Sequence, residues 1–409
     1  MSRTVVVGAS VAGVRTVQAL RREGFGGEVI LIGDEPEFPY DKPPLSKAVF
    51  AGASTLDDTR LLSAAHLDDL GLDLRLGVPA STLDVAAKLV TLADGTSIGY
   101  DQVVLATGAR ARPSPWGAPP GLHLLRSAAH SRALSADLSR ASSIVVIGAG
   151  FIGSEVAATA VHRGLHVTMV DPLANPMARV VGDEVGELLT SVHGAHGVET
   201  RLGVGVHEVR PHGDGLVIAL TDGSDVVADV AVVGIGALPN VEWLADSGLA
   251  LDDGVTCDEY CRAAGQTDIF AAGDVARWWH PREARHRRVE HWTHAVEQAA
   301  VVGHNLLHPD DLRPYDPVDY VWSDQYDWRI QIAGRTSGGC VAELIGDATA
   351  GRFGALYSDH DGRFVGAMTV NWQKAMVAAR RLLLATDTDI VDARAHMLAA
   401  GQRRAAVDV

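Results

Sequence analysis

The sequence predicts an α/β protein of two domains, each a parallel sheet flanked by helices, followed by a smaller α+β domain. Three features predict it. A strand–glycine turn–helix–strand pattern occurs twice, about 140 residues apart. Each copy closes on an acidic residue. After His308 the short, wholly apolar runs give way to alternating segments that contain Trp and Tyr.

The first copy reads as a strand at 4–7, the turn GASVAG (Gly8, Ser10, Ala12, Gly13), a helix at 14–22 and a strand at 28–32. It ends on Gly33, Asp34 and Glu35. The second reads as a strand at 143–147, the turn GAGFIG (Gly148, Gly150, Phe151, Ile152, Gly153), a helix at 154–162 and a strand at 166–170. Asp171 closes it. Uninterrupted Val/Ile runs suit strands buried on both faces, and a helical crossover between them makes the pair parallel and right-handed. The glycines permit a tight turn, close approach of the backbone to a pyrophosphate, and a helix N-terminus with free N–H groups. Two such units predict two Rossmann-like dinucleotide-binding domains. Asp171 lies 23 residues after Gly148, where a carboxylate suits ribose hydroxyls and repels a 2′-phosphate. Pro172, Leu173 and Ala174 follow and supply no arginine, so NADH is expected over NADPH. In the first turn Ser10 holds the middle glycine position; its side chain is small enough for the turn, and its hydroxyl can donate to a phosphate.

Further strands are expected at 100–107, ending in Gly108, at 228–234, leading into IGALPN, and at 267–272, leading into GDVA. The Pro- and Gly-rich stretch 112–121 reads as a linker. From residue 317 onward, strands around 320–333 and 354–370 and a helix at 372–384 form the third domain. The expected division is 1–111 with 245–316 for the first domain, 112–244 for the second and 317–409 for the third.

At 409 residues the chain is too long for one small core. Its net charge of -16 argues against general nucleic-acid binding. The N-terminus passes directly into a strand pattern, and no apolar run approaches about 18 residues, so a cytoplasmic protein away from membranes is expected. Cys257, Cys261 and Cys340 suggest a reducing compartment without a disulfide framework. The CxxxC spacing of the first two fits neither a redox nor a zinc motif, and no metal site is expected.

Several segments together resemble the oxygenase-coupled NADH–ferredoxin reductases, FAD flavoproteins of glutathione-reductase-like fold that serve cytochrome P450 and Rieske dioxygenase systems. PYDKPPLSK at 39–47 is similar to that family's PYxRPPLSK, with Lys42 in place of Arg; the resemblance implies flavin contacts from Lys42, Pro44, Ser46 and Lys47. ATGARAR at 106–112 resembles ATGxxPR, implying roles for Ala106, Thr107, Gly108 and Arg112, with Ala111 in the place of proline. FAAGDVA at 270–276 resembles the motif whose aspartate, here Asp274 beside Gly273, holds the ribityl chain. RVEHWTHAVEQA at 288–299 and WSDQY at 322–326 resemble segments that reach the flavin, implying Glu290, His291, Trp292, Ala295 and Trp322. GIGALPN at 234–240 resembles the GIGxxPN that closes the NAD sheet, and Gly234, Ile235, Gly236 and Arg179 join the expected NAD contacts.

The resemblance implies hydride transfer from NADH to tightly bound FAD and then single-electron transfer to a small iron–sulfur ferredoxin that serves an oxygenase. Lys47 and Glu155 are expected as a coupled pair that positions the nicotinamide and stabilises reduced flavin. A basic docking face for an acidic ferredoxin is expected among Arg277, Arg282, Arg285, Arg287 and Arg288. The family pattern leaves monomer or homodimer open. The absence of a cysteine pair in 36–55 argues against a disulfide reductase. Monodehydroascorbate reductase, NADH diaphorase and an apoptosis-inducing-factor-like interaction flavoprotein remain as alternatives.

Overall fold

A computed structural model describes residues 2–337, 340–385 and 387–402. Met1, residues 338–339, Thr386 and residues 403–409 lie outside the described residues, all but Met1 of them in the expected third domain. The chain divides into two compact units. The first contains residues 1–44, 54–111 and 237–317; the second contains 45–53, 112–236 and 318–409. The segments expected as the NAD(H) and C-terminal domains thus belong to one unit, and the short stretch around Lys47 belongs with them.

The first unit is built on a five-stranded parallel sheet in the order Ile269–Ala271, Gln102–Leu105, Arg3–Val7, Glu28–Ile32, Leu72–Arg75. Val5 pairs with Ile30 on one side and Val103 on the other, and all three are buried. The second unit repeats the plan: Glu199–Leu202, His166–Asp171, Ser143–Ile147, Val230–Val233, Leu122–Leu124. In both units the chain inserts a three-stranded antiparallel meander before the strand that leads into the ATG or GIG motif: Ala80–Asp84, Leu89–Leu92, Ser97–Gly99 in one, and Val206–His212, Gly215–Leu220, Asp225–Ala228 in the other. The fold-class expectation of two Rossmann-like domains is met.

The second unit also contains a five-stranded antiparallel sheet in the order Tyr320–Gln325, Trp328–Gly334, Phe364–Val370, Arg352–Ser358, Val341–Asp347. Helices Gln373–Leu384 and Ile390–Gln402 pack on it. Strand Val341–Asp347 and helix Ile390–Gln402 are not expected from the sequence pattern. The opposite face of this sheet meets helices Ala178–Val181 and Asp183–Ala195: Val181, Val185 and Leu189 share one core with Ile330, Phe353 and Met368.

Both crossover helices begin three residues earlier than the apolar periodicity predicts, at Val11 and Phe151 rather than at 14 and 154. The glycine turns are so tight that their last glycine already lies in the first helical turn. A Cβ on Gly13 would stand 1.9 Å from the Gly8 carbonyl oxygen, and one on Gly153 would stand 1.8 Å from that of Gly148. Helix and strand can meet at this separation only through glycine. Among the described residues no helix is long and apolar enough to cross a membrane.

Candidate active site

The two glycine turns match bond for bond. Gly8 N–H donates to Ile32 O and Gly148 N–H to Val170 O, each at 2.8 Å. Ala106 N–H donates to Val7 O and Gly234 N–H to Ile147 O, each at 2.7 Å. The first glycine of each turn has a left-handed backbone, φ 118° at Gly8 and 104° at Gly148. A Cβ there would lie 2.1 Å from Ala106 O or 2.3 Å from Gly234 O. The ATG and GIG motifs are therefore the same part used twice, each the backstop to a first glycine. Neither Ser10 nor Gly150 caps its helix through a side chain, and nothing lies within 4 Å of a Cβ built at Gly150. Open first-turn N–H groups beside open space fit a pyrophosphate. Both turns fit a bound dinucleotide.

Around the first turn three of the expected segments meet. A Cβ on Gly273 would lie 2.9 Å from the Cβ of Ala12 and 3.6 Å from that of Ala295, so three motifs meet through small side chains. Gln298, fully buried, accepts from the Gly273 N–H at 2.8 Å and fixes the turn that carries Asp274. Asn240 and Thr107 exchange hydrogen bonds between side chain and main chain, at 2.8 and 2.9 Å, which pins Gly108 from behind. Glu35 accepts from Lys42 Nζ and from the Tyr40 hydroxyl, each at 2.6 Å, and the ammonium lies 4.8 Å from the Tyr40 ring centre. Trp292 donates its indole N–H to Asp41 at 2.8 Å. Asp34 is exposed. Helix Trp292–Leu307 starts at Trp292 with His291 before it, and the exposed Glu290 pairs with Arg288. Arg112 belongs to the second unit with its side chain exposed; Arg110 makes the side-chain bonds of that motif, to Glu242 and Asn240.

In the second unit Asp171 accepts the N–H of Ala149 through one oxygen and that of Leu173 through the other, both at 2.7 Å. Its carboxylate thus shapes the turn, and each oxygen keeps a further lone pair. Phe151 and Ile152 open the helix, with Ile152 exposed; Arg179 is exposed on the short helix Ala178–Val181. Ile235 and Gly236 follow the backstop, and Gly236 O accepts from Arg112 N–H at 2.9 Å.

Glu155, 3% exposed, lies one turn into the helix and gathers a cluster of polar side chains. Ser46 donates to one carboxylate oxygen at 2.6 Å. Lys47 Nζ and Ser323 reach the other, each at 2.8 Å. Gln325 donates to Ser323 at 3.2 Å, and Thr159 donates to the Ser46 carbonyl at 3.0 Å. A carboxylate this buried needs such partners to satisfy its oxygens. The expected Lys47–Glu155 pair is formed, Ser46 is turned to Glu155, and Trp322 stands beside Ser323 on the same strand. Leu45–Ala53 and Tyr320–Gln325 are thereby tied to one carboxylate.

Sequence reasoning missed Asp41, Gln298 and Ser323. Each lies inside a quoted motif, but single polar residues give no sign of the partner they will meet. The arginines expected as a docking face are each paired with a carboxylate. Arg277 pairs with Asp252, Arg282 with Asp316, Arg285 and Arg287 with Glu283, and Arg288 with Asp253 and Glu290. Five arginines face five carboxylates, so the run carries matched charge and not the surplus positive charge expected of it.

The pyridine nucleotide-disulphide oxidoreductase family model matches residues 2–299, and the reductase C-terminal model matches 320–399. The chain is 40% identical over 383 residues to the ferredoxin–NAD(+) reductase component of the anthranilate 1,2-dioxygenase system of Burkholderia cepacia, covering 93% of this chain and 94% of that one. This chain belongs to the oxygenase-coupled ferredoxin–NAD reductases. Rhodocoxin reductase of Rhodococcus erythropolis is 39% identical over 93% of this chain and 88% of its own length. Putidaredoxin reductase, in its covalent complex with putidaredoxin, superposes with a TM-score of 0.90 at 29% identity, over 98% of this chain and 99% of that one. As a ferredoxin–NAD reductase the chain is an FAD flavoprotein that uses a nicotinamide dinucleotide.

Proposed function

We propose that this chain passes electrons from NADH, in preference to NADPH, through FAD to a small iron–sulfur ferredoxin that serves an oxygenase, in the cytoplasm. The observation that carries the reading is the division of labour between two equivalent turns. The turn at Gly8 is enclosed by Ala12, Gly273 and Ala295 and suits a cofactor that stays. The turn at Gly148, with its open position at Gly150, suits one that exchanges. The three functional segments 1–111 with 245–316, 112–244 and 317–409 remain our assignment of roles.

FAD, when bound, supplies the conversion of a two-electron donor to a one-electron carrier. The chain supplies binding, orientation and charge. The N–H groups at the start of helix Val11–Arg22 hold the FAD pyrophosphate, and those at Phe151 hold the NADH pyrophosphate. Glu35 and Asp171 take the adenosine riboses, the latter disfavouring a 2′-phosphate. Glu155 holds the Lys47 side chain in one place, so that a fixed hydrogen-bond donor is presented at the reacting end. Ser46 and Ser323 prevent the carboxylate from turning away.

The test is NADH-dependent reduction of a purified [2Fe–2S] ferredoxin, followed optically under air together with oxygen uptake. Ferredoxin reduction should outrun oxygen uptake at least tenfold, and kcat/KM for NADH should exceed that for NADPH. Oxygen uptake that matches NADH consumption, with the ferredoxin left oxidised, would make the protein an oxidase and reject the reading.

A further inference from the structure

We propose that Glu23, His304 and His308, all in the first unit, form a binding site for one divalent transition-metal ion of the zinc type. The sequence does not predict a metal site, because Glu23 lies 281 residues from His304. Folding brings them together. Helix Val11–Arg22 ends at Glu23 and helix Trp292–Leu307 ends at His308, with His304 one turn earlier. Two helix C-termini therefore converge, and their carbonyl ends favour a cation.

The spacing fits coordination. Glu23 Oε2 lies 3.3 Å from His304 Nδ1 and 3.2 Å from His308 Nε2, and the three ligand atoms lie within 4.8 Å of one another. Metal–ligand bonds of about 2.0–2.1 Å at tetrahedral angles separate neighbouring ligand atoms by about 3.3–3.4 Å. The tautomer fits as well. His304 Nε2 lies 2.9 Å from the Asp311 carbonyl oxygen, which can only accept, so Nε2 carries the proton. That is the outer hydrogen bond characteristic of ligating histidines. His304 Nδ1 is thereby the ring atom that faces the Glu23 carboxylate oxygen, with room for a cation to be shared between them.

His304 is buried and orders the site, while the side chains of His308 and Glu23 are 42% and 35% exposed and admit the ion. A cleft of about 310 Å³ opens beside them, lined by Ala19, Arg22, Ala300 and Arg313, with room for water as a further ligand. Arg22 and Arg313 are exposed, so solvent and salt screen their charge. Bound metal would clip together the two helices that begin at the FAD turn and at Trp292. The clip lies at their far ends, about 18 Å along the 12-residue helix from the turn. Its expected effect is on the stability of the flavin-bearing unit and not on turnover.

The experiment uses tag-free, FAD-loaded protein stripped with dipicolinate and dialysed against zinc chloride. Bound metal is measured by mass spectrometry, and melting is followed by flavin fluorescence. Wild type should bind one more zinc per chain than Glu23→Gln or His308→Ala, and zinc should raise its Tm but not theirs. NADH–ferricyanide turnover should be equal in all three. Cobalt substitution should give visible d–d bands in wild type only. Equal zinc binding by wild type and variants overturns the proposal, as does a wild-type Tm that responds to pH but not to zinc, which would make the site a shared proton. Should His308→Ala misfold, Glu23→Gln, altered at a half-exposed position, decides alone.

Discussion

The turns at Gly8 and Gly148 are built from the same hydrogen bonds, yet their surroundings differ in kind. The first is packed round by small residues from three motifs, and its acid, Glu35, is held by side chains, those of Lys42 and Tyr40. The second has an open middle position, and its acid, Asp171, is held by main-chain N–H groups. On the proposed reading, backbone geometry makes a dinucleotide site and what encloses it separates a resident cofactor from an exchangeable one. The second unit adds what the first lacks at the equivalent place. Arg15, at the same offset from Gly8 as Glu155 from Gly148, donates to Gln18 of its own helix, whereas Glu155 gathers Ser46, Lys47 and Ser323.

That difference can be broken most severely at Glu155. Glu155→Gln leaves the Lys47 ammonium without its carboxylate, and a loss of about 2–4 kcal/mol in denaturant stability is expected. NADH–ferricyanide kcat should fall at least tenfold while FAD content is unchanged. A variant with unchanged kcat would reduce the cluster to a structural pin.

Acid distinguishes the units less sharply, because each contains a buried histidine held below its ordinary range. Burial, aided by His196, holds His193 of the second unit at about 4, and burial beside His291, Arg287 and His280 holds His294 of the first at about 3, both below the ordinary 6.5. The unfolded chain binds more protons below 6.5, so stability present at neutral pH is lost as pH falls from 6.5 toward these values. Each histidine should contribute about 3 kcal/mol to that loss by pH 4. Denaturant titrations of His193→Gln at pH 7 and pH 4 check this; a pH dependence as steep as that of wild type contradicts it.

Asp171→Ala frees the Ala149 and Leu173 N–H groups and removes the charge opposed to a 2′-phosphate. The ratio of kcat/KM for NADH to that for NADPH should fall about tenfold, or roughly 1.4 kcal/mol. The smallest change is expected from Lys42→Arg, which restores a fork where the chain has a point charge. Flavin retention on dialysis should shift by no more than about threefold, about 0.7 kcal/mol.

Much of this architecture is legible in the amino-acid order alone. Glycine positions and Val/Ile runs predict both crossover units, since a tight turn and a buried parallel strand leave few residue choices. Lys47 and Glu155 are expected as partners and are partners. The strand Val341–Asp347 escapes the pattern because Glu343, Gly346 and Asp347 interrupt its alternation, and it pairs only along one edge. Glu23, His304 and His308 escape it for a different reason, that their meeting is a product of topology. The arginine run misleads because charge is counted along the chain, while the neutralising carboxylates Asp252, Asp253 and Asp316 arrive from neighbouring segments.

The most direct test of two turns with two tasks is Gly148→Ala, whose Cβ has no space at φ 104°. Its flavin content is measured after gel filtration, and its flavin is then titrated anaerobically with NADH. One FAD per chain should remain, with no bleaching at NADH concentrations that fully reduce the wild type. Loss of FAD from this variant, or bleaching with the wild-type half-saturation, would contradict the assignment.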